Sequence, residues 1–247
     1  MSNEAMSIEG RTVLVTGANR GLGRALVEEA LRRGAKRVYA GSRAQTVGHS
    51  DERVMPLLLD ITDGGQLERA VERVDSLDVL VNNAGLALYD DLSDRAMLER
   101  HLAVNLFGTW SVTQAFLPLL AQSGGAIVNV VSDAALAPVP VVPAYSISKA
   151  ATFSMTRLLR TLLVPRGVHV HAALPGPIDT DMSRDYDAPK ASPESVARDI
   201  FDGMERGEEE IFPDPVSRSM ATSWVNSAAK EHERQRAALV PAEAVAS

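Results

Sequence analysis

Thr12-Val13-Leu14-Val15-Thr16-Gly17-Ala18-Asn19-Arg20-Gly21-Leu22-Gly23-Arg24-Ala25-Leu26-Val27-Glu28-Glu29-Ala30-Leu31 is the stretch on which the fold turns. Residues 12–15 form a short apolar run of the kind that makes a parallel strand buried on both faces, and residues 22–31 carry apolar side chains at helical spacing. Between them, Gly17, Gly21 and Gly23 let backbone N–H groups come close to an anion, and the N-terminus of the following helix adds partial positive charge. The expectation is a strand, a tight turn and a helix that hold the pyrophosphate of a dinucleotide at the end of the strand.

A second strand, Arg37-Val38-Tyr39-Ala40-Gly41, should end beside the adenosine ribose, where an acidic residue ordinarily binds the 2′-hydroxyl of NAD. Here the chain continues Ser42-Arg43, and no carboxylate follows until Asp51. An arginine fork suits a 2′-phosphate, and Arg20 can close on the same group from the glycine turn. NADP(H) is favoured over NAD(H). The alternative, that both arginines are solvated loop residues, would leave NAD(H) as the cofactor.

Strand-like and helix-like segments then alternate: strands at residues 54–59, 78–82, 126–131, 167–174 and 210–212, with a helix at 66–74. That pattern predicts an α/β fold, a Rossmann-type doubly wound parallel sheet of about seven strands with helices on both faces and a ligand crevice at the carboxyl ends of the strands. A chain of 247 residues with 45% hydrophobic content suits one such domain. The reading is a flexible polar lead-in at 1–10, a catalytic domain at 11–212 and a C-terminal helical tail at 213–247. The tail helix should have a strongly solvated second half, Lys230-Glu231-His232-Glu233-Arg234-Gln235-Arg236, and a frayed end from 239. Helices at 109–120 and 144–164 carry apolar residues on more than one face, which predicts a homodimer or homotetramer through them; coverage by the C-terminal segment is the alternative.

The composition narrows the function. A net charge of −7 and a pI near 5.3 argue against nonspecific nucleic-acid binding. With no cysteine there is no disulfide frame, thiolate metal site or cysteine nucleophile. The start lacks the order of a secretory signal and no stretch approaches membrane-spanning length, so a cytoplasmic protein without membrane contact is expected. His169 and His171 alternate along a strand with no third ligand at metal spacing, so no metal is expected. Asp179 and Asp181, beside a proline-glycine turn, read as loop or capping residues.

Three further features converge on the strand ends. Tyr145-Ser146-Ile147-Ser148-Lys149 puts a phenol and an ammonium four residues apart on one helical face. Ser132 ends the fifth strand, and Asn105 lies in the helix after the turn Asn82-Asn83-Ala84-Gly85. With Thr16-Gly-x-x-x-Gly-x-Gly23 and Pro175-Gly176-Pro177-Ile178-Asp179-Thr180, these motifs resemble the short-chain dehydrogenase/reductase family in its shorter single-domain subgroup, over about residues 11–212. The resemblance implies that Tyr145 is the general acid for ketone reduction and that Lys149 contacts the nicotinamide ribose and lowers the tyrosine pKa. It implies that Ser132 binds the substrate oxygen and that Asn105 holds a water in the proton path. It further implies a cofactor site made of Gly17, Asn19, Arg20, Gly21, Leu22, Gly23, Ser42, Arg43, Asp60, Ile61, Asn83, Ala84, Gly85, Tyr145, Lys149, Pro175, Gly176, Ile178 and Thr180. The chemistry agrees, because a phenol of ordinary pKa near ~10 needs a nearby positive charge to work close to neutrality.

Only ten residues, 182–191, separate Asp181 from the Ser192-Pro193 helix opening, which implies a short lid and an open pocket. The expected lining is Leu86, Leu88, Ala134, Leu136, Val139, Val141, Pro177, Met182 and Tyr186, nearly all apolar, with Pro138-Val139-Pro140-Val141-Val142-Pro143 as a stiff wall. The sequence therefore predicts NADPH-dependent reduction of a hydrophobic ketone or aldehyde. An NAD-linked alcohol dehydrogenase and a catalytically idle NADP(H)-binding regulatory protein are the alternatives.

Overall fold

The computed structural model describes residues 6–43 and 50–237. Strand β1 (Thr12–Thr16) leads through the glycine turn into helix α1 (Gly21–Arg32), followed by β2 (Arg37–Ser42), β3 (Val54–Leu58), α2 (Gly64–Glu72) and β4 (Val79–Asn82). Next come α3 (Arg95–His101), a π-helical segment (Leu102–Gly108) and α4 (Thr109–Ser123), which run on as one long helix. The remainder is β5 (Ala126–Val130), α5 (Pro143–Leu163), β6 (His169–Ala173), α6 (Pro193–Glu205), β7 (Glu210–Ile211), α7 (Pro215–Val225) and α8 (Ala228–Ala237).

All seven strands pair in parallel in the order β3-β2-β1-β4-β5-β6-β7, the doubly wound Rossmann-type sheet expected. The order reverses between β1 and β4, where Val13 to Val15 register with Val79 to Val81. The crevice at this switch point receives the loops after β1, β4 and β5. One core layer packs Leu22, Leu26, Ile200 and Phe201 under α1 and α6, and the other packs Leu80, Phe116, Leu120 and Leu159 under α2, α4 and α5.

Two expectations about the ends of the chain change. Ile8 is fully buried and its N–H donates to Glu205 Oε1 at 3.0 Å, so the described end of the lead-in, residues 6–10, is anchored where an apolar side chain can reach the α6 side of the core. In the tail, Lys230 is only 2% exposed, and its ammonium meets Glu210 Oε1 at 2.8 Å and Glu209 Oε2 at 2.6 Å. Arg160 joins the same group at 2.8 Å from Glu210, so Lys230, with Glu233 half-buried beside it, leaves the solvated face, while residues 231, 232 and 234–236 stay exposed as expected. The stretch from 238 lies outside the described residues.

The apolar surplus of the middle helices is divided. Trp224 of α7 packs on Phe153 with ring centroids 5.3 Å apart, and Arg157 lies over both rings, so the chain's own tail covers that part of α5. Phe107, Trp110, Leu158 and Leu162 remain exposed. His171 is buried, with Nδ1–H donating to the Glu208 carbonyl at 2.6 Å, and burial lowers its pKa to about 4. Among the described residues no helix is long and apolar enough to cross a membrane, and no cluster of three or more His, Asp or Glu side chains is placed to hold a metal.

Removing one partner of a buried ion pair strands the other, at a cost of several kcal/mol. Lys230→Ala should lose about 2–3 kcal/mol of unfolding free energy in urea titration, below the full cost because Arg160 still faces Glu210. Arg95→Ala, which breaks an exposed pair with Glu99, should change stability by under about 0.5 kcal/mol.

Candidate active site

The cradle at the switch point is made by two turns in close contact. Gly17 has φ +67°, and a Cβ there would stand 2.9 Å from Ala84 Cα, while a Cβ at Gly23 would overlap the Gly17 carbonyl oxygen. Thr16 Oγ1 accepts from the N–H groups of Asn83 and Ala84, both at 3.0 Å. Asn83 Nδ2 donates to the carbonyls of Thr16 at 2.9 Å and Gly17 at 3.3 Å. Asn83 thus spends its amide donors on the glycine turn and shapes the cradle through it.

Helix α1 opens at Arg20 with no side-chain cap and no acidic residue in its first turn, so its leading N–H groups lack an anionic partner. The glycine cradle and this uncapped helix start fit a pyrophosphate. Thr180 leans over the same place, its Cγ2 3.1 Å from where a Cβ of Gly21 would be. Asn19 and Arg20 lie exposed on the turn, and Leu22 is buried beneath it. The Arg20 guanidinium reaches across to Asp181 at 2.9 Å, and Arg184 pairs with the same carboxylate. Asp181 lies on the loop, as the sequence suggested, and is in addition the ion-pair partner of both arginines.

Ser42 ends β2 in a buried position and Arg43 follows it exposed, both at the expected ribose end. Asp60 Oδ1 accepts from the Thr62 backbone and hydroxyl, which closes a turn. Ile61 packs into Gly108, where any Cβ would come within 2.7 Å of it.

Ser132, Tyr145 and Lys149 come together at the ends of β5 and α5. The Ser132 hydroxyl is near enough to the Tyr145 phenol to favour its ionised form, and the Lys149 ammonium stands 5.7 Å from the tyrosine ring centroid. The Lys149 ammonium is 5% exposed, donates to the Val130 carbonyl at 2.8 Å and stands 3.7 Å from the position a Gly85 Cβ would take. Burial outweighs every other influence on this pair. It lifts the Tyr145 phenol to about 12, against the Ser132 hydroxyl that favours phenolate and with the Asp133 carboxylate that opposes it. It pulls Lys149 down to about 8. Desolvation is the largest influence on the phenol.

Asn105 is placed by the π-helical segment, whose extra residue per turn rotates the side chain inward. Its Oδ1 accepts from Leu86 N at 2.8 Å, and its Nδ2 donates to Leu86 O at 2.9 Å and Ser148 Oγ at 2.8 Å, while Thr152 Oγ1 caps its carbonyl at 3.0 Å. With these groups engaged, Asn105 clamps the loop after β4 to α5.

Of the expected pocket residues, Leu86, Leu88, Val139 and Pro177 are half-buried, and Val141, Met182 and Tyr186 are exposed. Ala134 is buried to 2% and contributes to the floor through its N–H, which donates to Ser132 Oγ at 3.2 Å. Leu136 packs toward Phe153 and Trp224, so the tail backs this wall. The lid is bridged at Ile178 and Ala191, and the helix after it opens as expected on Ser192, whose Oγ accepts from Ser195 N at 3.1 Å. Pro175, Gly176 and Ile178 lie on the loop after β6.

Three acidic residues escaped the sequence reading. Asp133 accepts from Ser132 Oγ at 3.1 Å. Asp214, 2% exposed, caps α7 and also accepts from Gly176 N at 2.8 Å, which ties the tail to the proline-glycine loop. Asp90 receives the Ala144 N–H at 3.3 Å and so caps α5, whose own N-cap residue, Val142, offers no side-chain acceptor. The Asp214-Pro215 opening is a readable capping signal; the other two have none, because their partners lie far away or in a strand end.

Residues 11–191 match the short chain dehydrogenase family. The chain is 32% identical to a sorbitol dehydrogenase of Cereibacter sphaeroides, over 78% of this chain and 80% of that protein. It is 34% identical to a 3-oxoacyl-[acyl-carrier-protein] reductase of Aquifex aeolicus, over 72% of this chain and 78% of that one. Among solved structures, a short chain dehydrogenase from Burkholderia cenocepacia in complex with NADP superposes with a TM-score of 0.83 at 38% identity, covering 93% of this chain and 99% of that one.

The buried ammonium generates a pH-dependent prediction. Since the folded pKa of Lys149 is about 8 against 10.5 for the free group, the folded state holds that proton less tightly than the unfolded state does. The resulting destabilisation is full below pH 8 and is relieved as pH rises toward 10.5. Lys149→Met should therefore be more stable than the parent at pH 7, by up to about 3 kcal/mol. The gap should narrow in denaturant titrations between pH 8 and pH 9.5.

Proposed function

The chain belongs to the short chain dehydrogenase family, and from that premise we propose that it is an NADPH-dependent carbonyl reductase that converts a hydrophobic ketone or aldehyde into an alcohol, reversibly. At the coarser level it is an oxidoreductase acting on alcohol or carbonyl groups. The observation that carries the finer reading is the convergence of Ser132, Tyr145 and Lys149, whose ammonium stands 5.7 Å from the tyrosine ring and against Gly85, beside a glycine cradle that fits a dinucleotide.

When bound, the nicotinamide supplies a hydride to the carbonyl carbon. Tyr145 gives its proton to the carbonyl oxygen, so that hydride plus proton make the alcohol and leave the cofactor oxidised. Ser132, set at the same point, orients that oxygen and stabilises the charge developing on it. Lys149, against Gly85 and Val130, would hold the nicotinamide ribose, and its charge would compensate the departing proton. Asn105 keeps the loop of Gly85 and Leu86 in register with α5.

Arg20 and Arg43 support NADP(H), as does the NADP bound by the Burkholderia relative. The half-buried Leu86, Leu88, Val139 and Pro177 support an apolar substrate. An NAD-linked alcohol dehydrogenase is the second reading, favoured by the engagement of Arg20 with Asp181. The exposed Phe107, Trp110, Leu158 and Leu162 support a homo-oligomer formed through α4 and α5, and a cytoplasmic location goes with this reading.

Tyr145→Phe should keep NADPH binding and lower kcat by about 10²–10⁴-fold in NADPH-consumption assays with aryl and alicyclic ketones. Arg20→Ala with Arg43→Ala should raise KM for NADPH by at least about tenfold while leaving NADH nearly unaffected. Asp181→Asn should move KM for NADPH the other way, because it releases Arg20. Equal use of NADH and NADPH by the parent and the double variant would favour the second reading.

A further inference from the structure

A carboxylate stands beside the catalytic hydroxyls with no cation to balance it. Asp133 follows Ser132 directly and accepts its hydroxyl at 3.1 Å. It is close enough to the Tyr145 phenol to oppose phenolate formation. The residue is half-buried, and among the described residues no lysine, arginine or histidine forms an ion pair with it. Its second oxygen faces the proline-glycine loop, 3.3 Å from where a Gly176 Cβ would be, and the buried Asp214 carboxylate approaches the same point to 3.0 Å. Burial and the like charge of Asp214 together push the Asp133 carboxyl up.

A half-buried, unpaired carboxylate is costly unless something meets it. Ser132 supplies one hydrogen bond, while an ionised carboxylate accepts several. Oδ1, 3.1 Å from the Ser132 hydroxyl, is the oxygen that borders the point where a substrate carbonyl would be held, while Oδ2 faces Gly176 and Asp214. The surrounding wall is apolar and offers no competing donor side chain at Leu86, Leu88 or Val139.

We infer that Asp133 is a specificity-determining residue, which selects substrates carrying a hydrogen-bond donor, a hydroxyl or an ammonium, on the carbon next to the carbonyl and rejects carbonyl compounds with an anionic neighbour. This deepens the carbonyl-reductase reading and rests on it. The preferred substrate is then an α-hydroxy or α-amino ketone on an otherwise apolar skeleton. A keto acid brings a further negative charge to a place that already holds two carboxylates, Asp133 and Asp214. The group recognised is a donor beside the carbonyl, and the charge of Asp133 distinguishes its two forms, because an ammonium gains far more from an ionised partner than a hydroxyl does.

The test compares acetophenone, α-hydroxyacetophenone, α-aminoacetophenone and phenylglyoxylate as substrates of the full-length protein with NADPH. It uses the parent, Asp133→Ala and Asp133→Asn. The quantity read is kcat/KM relative to acetophenone for each protein, which cancels differences in intrinsic carbonyl reactivity when variants are compared. NADPH titration shows that each variant is folded. Asp133→Ala should lower the hydroxy-to-plain and amino-to-plain ratios on the order of ten- to a hundredfold and raise the phenylglyoxylate ratio. Asp133→Asn should hold most of the hydroxyl preference, lose most of the ammonium preference and also raise phenylglyoxylate. If Asp133→Ala does not fold, the ammonium and phenylglyoxylate ratios of Asp133→Asn decide the question alone. Ratios that stay the same in parent and variants overturn the role of Asp133 and leave carbonyl reduction standing. No consumption of any of the four ketones by the parent, with NADPH or NADH, overturns the carbonyl-reductase reading and this inference with it.

Discussion

The contact between the turn after β1 and the turn after β4 is the constraint on which the site depends. The two loops come so close that Gly17 and Gly23 cannot carry a side chain, and Thr16 and Asn83 lock them together with four hydrogen bonds of 2.9–3.3 Å. A parallel sheet brings these loops to the same edge, because β1 and β4 are neighbours at the point where the strand order reverses. Everything beyond the cradle is hung from it. Asn105 joins the β4 loop to α5, and α5 then presents Tyr145 and Lys149 one helical turn apart.

Desolvation governs the chemistry of this region. The same burial that raises the phenol to about 12 lowers the ammonium to about 8, so two groups of nearly equal proton affinity when free are driven apart, each toward its neutral form. Such an arrangement costs stability, the usual trade at functional sites. Asp133 sharpens the imbalance by adding negative charge beside the hydroxyls. The tail contributes too, because Asp214 holds the Gly176 loop and Trp224 supports the wall behind Leu136. Its position is secured in turn by the Lys230, Glu210 and Arg160 cluster.

How much of this could be read in advance follows from the range of each interaction. The central strands β1, β4 and β5, buried along their length, show as near-continuous apolar runs, and the other four were placed by their alternation with helices, while strand ends shifted by a residue or two because ladder length depends on the neighbouring strand. The Tyr145 and Lys149 pair is local, four residues on one helix, and was readable for that reason. The clamp made by Asn105 needs Leu86 and Ser148, which no local pattern connects to it. Lys230 sits in a charged run that looks solvated, and its burial comes from carboxylates on β7 and α8 that only the folded chain assembles. Asp133 looks like a strand-end capping residue until its carboxylate is found against Ser132.

The most direct test of hydride transfer at this site is isotopic. NADPH carrying deuterium on each face of the nicotinamide C4 in turn, incubated with a ketone that the protein consumes, should give an alcohol one mass unit heavier with one face and unlabelled with the other. The deuterium should sit on the carbinol carbon. Alcohol that forms without label from either face, or label that appears elsewhere in the product, would contradict direct transfer between a cofactor in the cradle and a carbonyl held at Ser132 and Tyr145.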